Sequence, residues 1–148
     1  MNESLRIADQ LHRSYFGQAW HGPSLKEALE GVDAEKAAAH PIPSAHSIWE
    51  IVLHVDAWVR EATETIGGKP YETLQGERDW PPVRSTSADA WRETVDALQK
   101  RCESLVAAIQ AFPPDKLGDG DRSYYALLHG IIQHNAYHGG QIALMKKF

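Results

Sequence analysis

Two histidines, His134 and His138, stand four residues apart in the C-terminal stretch HGIIQHNAYHGGQIALM. On a helix that spacing rotates one side chain only about 40° from the other, so two imidazoles can converge on one ion. A third candidate is His54, on the stripe Ile51, His54, Trp58 of IWEIVLHVDAWVRE. Each of the three lies near the middle of its predicted helix. If those helices pack in register, three neutral imidazoles surround one point and leave a fourth position open. That is the pattern of a catalytic divalent-metal site with water in the open position. An ion there would also offset the cost of burying three polar rings without partners. His129 is five residues before His134 and therefore rotated about 140° out of the group. The same spacing also describes core histidines bonded to backbone carbonyls or to water, and spacing alone leaves both readings open.

Other residues carry secondary expectations. Glu50, one turn before His54, is a candidate general base or an acceptor for an imidazole N–H, and equally the partner of Ser47 in a capping box. His21 in WHGPS is a candidate for the mouth of the site, against simple exposure. Gln141, three residues after His138, is a candidate hydrogen-bond partner for a ligand, against contact with a neighbouring helix. Trp80 in RDWPP is either a lid over the pocket or a local packing residue. Cys102 falls in an apolar helix seam, where a thiol behaves as a small hydrophobe. His12, His40 and His46 receive no role.

The elements that must position these side chains are helical. Trp91, Val95, Leu98, Cys102, Leu105, Ile109 and Phe112 alternate steps of four and three, predicting a helix over 87–112. Leu5, Ala8, Leu11, Tyr15 and Ala19 predict a first helix over 3–19. A second starts after HPIP, is capped near Ser47 and stops at Gly67-Gly68. A fourth runs from about Asp121 to the end, its Gly139-Gly140 pair predicting close packing against a neighbour. No sustained period of two marks a strand. The short turn PPDKLGDG predicts antiparallel neighbours in the last two helices. The connection GGKPYETLQGERDWPPVRST can run the ~30 Å length of a 20-residue helix, so the second and third helices are expected to be parallel. The segment between the first two long helices should hold one or two short helical turns. The expected architecture is all-α, one four-helix-bundle domain over 1–148 with two long connections.

Composition narrows the function classes. Fifteen Lys and Arg against 20 Asp and Glu give a net charge of -5, which argues against a nucleic-acid surface. One cysteine excludes an internal disulfide. No apolar stretch approaches the ~20 residues of a membrane span, and MNESLRIADQLHRSYF lacks the apolar run of a signal peptide. The expected location is the cytoplasm, with no membrane partner.

SIWEIVLHVDAWVRE around His54, HGIIQHNAYHGGQIALMKK around His134 and His138, and WHGPSLKEAL followed by VDAEKAAAHP resemble the DinB/YfiT-like family of small four-helix metalloproteins. The likeness spans nearly the whole chain. It implies an up-down-down-up bundle and a metal-binding triad at His54, His134 and His138, all histidine here. Some members of that family are thiol transferases or thiol-dependent isomerases using bacillithiol, mycothiol or glutathione. The leading expectation is therefore an enzyme that uses a divalent ion (Zn, Ni or Fe) in thiol transfer or hydrolysis on a small molecule, with a low-molecular-weight thiol as partner. The competing expectation is a non-catalytic bundle that binds a ligand or a partner, including a second copy as a homodimer, with the metal structural or absent.

Overall fold

The computed structural model describes residues 1–148. It contains six α-helices: α1 Glu3–Phe16, α2 Leu25–Leu29, α3 Ala34–Ala38, α4 Ile48–Ile66, α5 Ala88–Gln110 and α6 Tyr124–Met145. Short 3-10 turns occupy Gly76–Arg78 and Pro114–Lys116, and there is no strand. Polar caps set every helix start. Asn2, Ser24, Asp33, Ser47, Ser87 and Ser123 each accept a backbone N–H of the first turn through the side chain. Such a cap stabilises a helix by about 1 kcal/mol. Ser24 with Glu27 and Ser47 with Glu50 complete reciprocal capping boxes.

Two helix ends differ from the periodic pattern. α1 stops at Phe16, not Ala19, because Gly17 (φ 147°) and Gln18 (φ 62°) leave the helical region. Its buried face is Ser4, Ile7, Ala8, Leu11, Ser14 and Tyr15, while Leu5 is exposed. α6 starts at Tyr124, not Asp121, because the Ser123 hydroxyl caps it.

α4 packs against α5 and α6, and α1 packs against the same two helices. The predicted side-by-side pairing of the last two long helices is corrected. α5 divides its face between α4 and α1, and α6 shares its own among α4, α1 and α2, so α5 and α6 have no comparable face. They meet where the Phe112 ring sits edge-on to Tyr124, with centroids 5.0 Å apart. A short turn limits how far apart two helix ends lie, but it does not choose which faces bury.

The connection before α4 supplies the two predicted short helices. α2 lies along α6, and α3 lies against α4 and α5. Gly139 is buried where a Cβ would meet Leu25 Cα at 3.8 Å, whereas Gly140 faces open space. Gly139 therefore lies against α2 at ordinary van der Waals distance with room for a methyl group, and close packing requires neither glycine of the pair. All six helices contribute to one core of 27 buried residues. The α4–α5 connection folds back so that Asp79 and Trp80 lie on the His54 face of α4.

Candidate metal centre

α4 packs against α6, bringing His54 onto His134 and His138. His134 Nε2 is 2.9 Å from His54 Nε2 and 3.1 Å from His138 Nε2. His54 and His138 are buried and His134 is half-buried. Their ligating nitrogens all lie within 4.8 Å of one another. Donors held at about 2.0–2.1 Å on one tetrahedral ion sit roughly 3.3 Å apart, so the two separations from His134 need only a few tenths of an ångström of opening to accept one.

The outward-facing nitrogens show which lone pairs are free. His54 Nδ1 donates to the Asp79 backbone carbonyl at 2.7 Å. A carbonyl can only accept, so the proton is on Nδ1 and the Nε2 lone pair faces the cluster. His138 Nδ1 donates to Gln141 Oε1 at 2.6 Å, with the same consequence. His134 Nδ1 is buried without a partner. Two anchored imidazoles and a third in the same focus are the donor set expected around a divalent ion.

Electrostatics keep two of the donors, His134 and His138, neutral. Burial, with the neighbouring His138 and His54, pushes His134 down to about 3. Burial also lowers His138, and the Gln141 hydrogen bond only partly opposes it. Both rings therefore offer lone pairs at neutral pH.

The α4–α5 connection covers the cluster. Trp80 is stacked between two imidazoles, 3.8 Å from His54 at 4° and 3.6 Å from His46 at 11°. Trp58 Nε1 donates to Asp79 Oδ1 at 2.7 Å and fastens the same segment to α4.

The secondary candidates fall in different places. Glu50 Oε2 accepts the Ser47 N–H at 2.7 Å and lies 3.2 Å from His40 Nε2 and 3.4 Å from His46 Nδ1. Burial works against its charge, but the Ser47 and His40 hydrogen bonds hold its pKa below the usual carboxylate range. Its link to the triad is indirect, through His46 and Trp80. Gln141 orients His138, and Trp80 covers His54. His21 is exposed in the turn before α2. Cys102 is fully buried, and burial raises its thiol pKa far above neutrality. His129 lies tilted against Tyr125, away from the cluster.

Three residues at the site carry no functional mark in the sequence: Asp79, Trp58 as a donor, and His46. A half-buried tryptophan needs a partner for its N–H, and that is the one signal that pointed to Trp58. Asp79 acts on His54 mainly through its backbone carbonyl, which leaves no mark in a sequence.

The family model of the DinB superfamily matches residues 18–142, a span that includes all three histidines. No curated protein and no solved structure matches the chain.

Proposed function

We propose that this chain, which belongs to the DinB superfamily, is a divalent-metal-dependent enzyme acting on a small molecule, with His54, His134 and His138 as the protein ligands. The convergence of three Nε2 atoms, two of them on rings whose Nδ1–H is already anchored, carries this reading. We read the chain as one four-helix-bundle domain with up-down-down-up topology. The pairing of α1 and α4 each with both α5 and α6, and the long connection between α4 and α5, support it.

A bound zinc, nickel or iron ion would supply Lewis acidity, lowering a water pKa to about 7 or deprotonating a thiol. The protein's part follows from its own contacts. Asp79 and Gln141 fix the tautomers of His54 and His138. Trp80 and Trp58 shield the cluster from bulk water on the side of the α4–α5 connection. His134 opens onto a cavity of about 520 Å³ that gives a reactant access. Thiol transfer and hydrolysis both suit this arrangement, and family resemblance favours transfer with a low-molecular-weight thiol. Glu50 stays outside the reacting group in this reading, as a cap.

A second reading, a non-catalytic binding bundle or homodimer, draws support from the outer face of α6. Tyr137 and Leu144, seven residues apart, are 65% and 56% exposed there. Elemental mass spectrometry on untagged protein, together with a screen for thiol-dependent activity, separates the two. About one equivalent of metal in the parent, lost in His54→Ala, His134→Ala and His138→Ala, is expected. No metal after reconstitution with zinc, nickel or ferrous iron would overturn the enzyme reading. A screen with thiols and electrophiles then separates transfer from hydrolysis.

A further inference from the structure

We propose that the cavity beside the histidine cluster receives an elongated amphipathic organic acid, its apolar body against α6 and its anionic end at Arg122. This rests on reading the three histidines as the reactive centre. The cavity holds about 520 Å³ and lies between α4, residues 68–71 of the following connection, and the first half of α6. That volume is in the range of small-molecule sites. His134 and Trp58 line it beside the cluster, and Arg122 and Tyr71 line it near the start of α6. Ser123 and His134 are 11 helical residues apart, about 16 Å along the axis, so the space is long rather than round.

Its wall has been left open. Gly130 lies in the interior of α6 and lines the cavity, and nothing lies within 4 Å of where its Cβ would stand. A mid-helix glycine costs about 1 kcal/mol of propensity relative to alanine, and here no protein packing compensates. Leu127, Ile131 and Trp58 supply apolar surface on either side.

The charges favour an anion. Lys69 is committed: its Nζ is 3.1 Å from both Glu61 Oε2 and Glu64 Oε2. Arg122 has no carboxylate partner, and its guanidinium stands 5.9 Å from the Tyr71 ring centroid. Asp121 is the opposing carboxylate of the lining, and the positive end of the α6 dipole, which starts at Ser123, partly offsets it. Arg122 is exposed beside the Tyr71 ring, and its planar guanidinium offers paired N–H groups suited to a carboxylate or sulfonate.

Two naphthalene dyes of similar shape test this: anionic 8-anilinonaphthalene-1-sulfonate and neutral N-phenyl-1-naphthylamine. The parent should bind both saturably. Arg122→Gln should weaken the anionic dye about fivefold, as expected for one lost solvent-exposed ion pair, and leave the neutral dye within about twofold. Gly130→Phe, and independently Ala126→Trp, should weaken both dyes about tenfold by filling the cavity, with circular dichroism unchanged. No saturable binding by the parent, no response of the anionic dye to Arg122→Gln, or no effect of either plug would overturn the proposal. Metal content is measured on the same samples. Dye binding that depends on Arg122 and Gly130 in a protein that takes up no metal would fail the metal reading alone. Full metal occupancy with dye binding indifferent to both residues would fail the cavity assignment alone.

Discussion

His54 donates from Nδ1 to the backbone carbonyl of Asp79, 25 residues away, at 2.7 Å. That bond does two things. It turns the His54 Nε2 lone pair toward His134 and His138, and it fastens the α4–α5 connection over the cluster. Because the acceptor is main chain, substitution at position 79 leaves it in place. Asp79→Ala removes the acceptor of Trp58 Nε1 and a secondary contact to His54 Nδ1 at 3.2 Å. Asp79→Ala should therefore keep one equivalent of metal, with affinity reduced less than about tenfold, below the usual loss for a ligand's outer partner. Competition with a chelator measures it, and a loss as complete as that of His54→Ala would contradict the main-chain anchor.

His138 is anchored differently, by a side chain. Gln141 Oε1 accepts from its Nδ1 at 2.6 Å. Gln141→Leu should lower metal affinity about 10- to 100-fold, while Gln141→Glu, which keeps an acceptor, should retain it. The comparison of the two variants in the same chelator competition decides. Equal losses would mean that the hydrogen bond does not orient His138.

Trp80 between His46 and His54 is the other clasp on the connection. Each stacked pair is worth about 0.5–1.5 kcal/mol beyond area burial. Trp80→Ala should destabilise the protein by about 2–3 kcal/mol and speed amide exchange over residues 76–80. His46→Ala, which removes one of the two stacks, should cost about 1 kcal/mol or less. Urea unfolding and hydrogen-exchange mass spectrometry read these changes. Unaltered exchange in Trp80→Ala would place the clasp elsewhere.

The site was legible in the sequence where it depends on side chains at helical spacing. His134 and His138 share a face because they are four apart, and His54, in the first half of α4, meets them where α4 packs on α6. Helix starts were legible where a cap writes them, as at Ser47 with Glu50. The sequence did not reveal the Asp79 carbonyl, because every residue has one. Nor did it reveal that His46 stacks on Trp80, since that contact depends on the path of a long connection. The pairing of α5 and α6 was misread for a related reason. Turn length constrains helix ends, while α1 and α4 compete for the apolar faces between them.

The glycine pair separates packing from propensity. Gly140 faces open space, so Gly140→Ala should stabilise by about 0.5–1 kcal/mol through helix propensity and loss of freedom in the unfolded chain. Gly139 faces Leu25 at ordinary van der Waals distance, so Gly139→Ala fits, whereas Gly139→Leu must push α2 off α6 and should cost about 2 kcal/mol or more. Thermal melts of the three variants rank them, and a neutral Gly139→Leu would show that α2 yields.

Acid should destabilise the metal-free protein through His134. Its pKa falls from an ordinary 6.5 to about 3 on folding, chiefly because the ring is buried. Above 6.5 both states are neutral there and the stability is complete. As pH falls, the unfolded chain takes up a proton that the folded protein refuses, so stability drains until the pH approaches 3. From pH 7.5 to pH 5 the loss is about 2 kcal/mol, and His138 shifts in the same direction and adds to it. Carboxylates also titrate near pH 5, so the contrast with His134→Gln isolates the histidine. Urea unfolding of chelator-treated protein at the two pH values should show a smaller loss in the variant by about that amount. Identical losses in parent and variant would mean that His134 is already accessible to protons in the folded state.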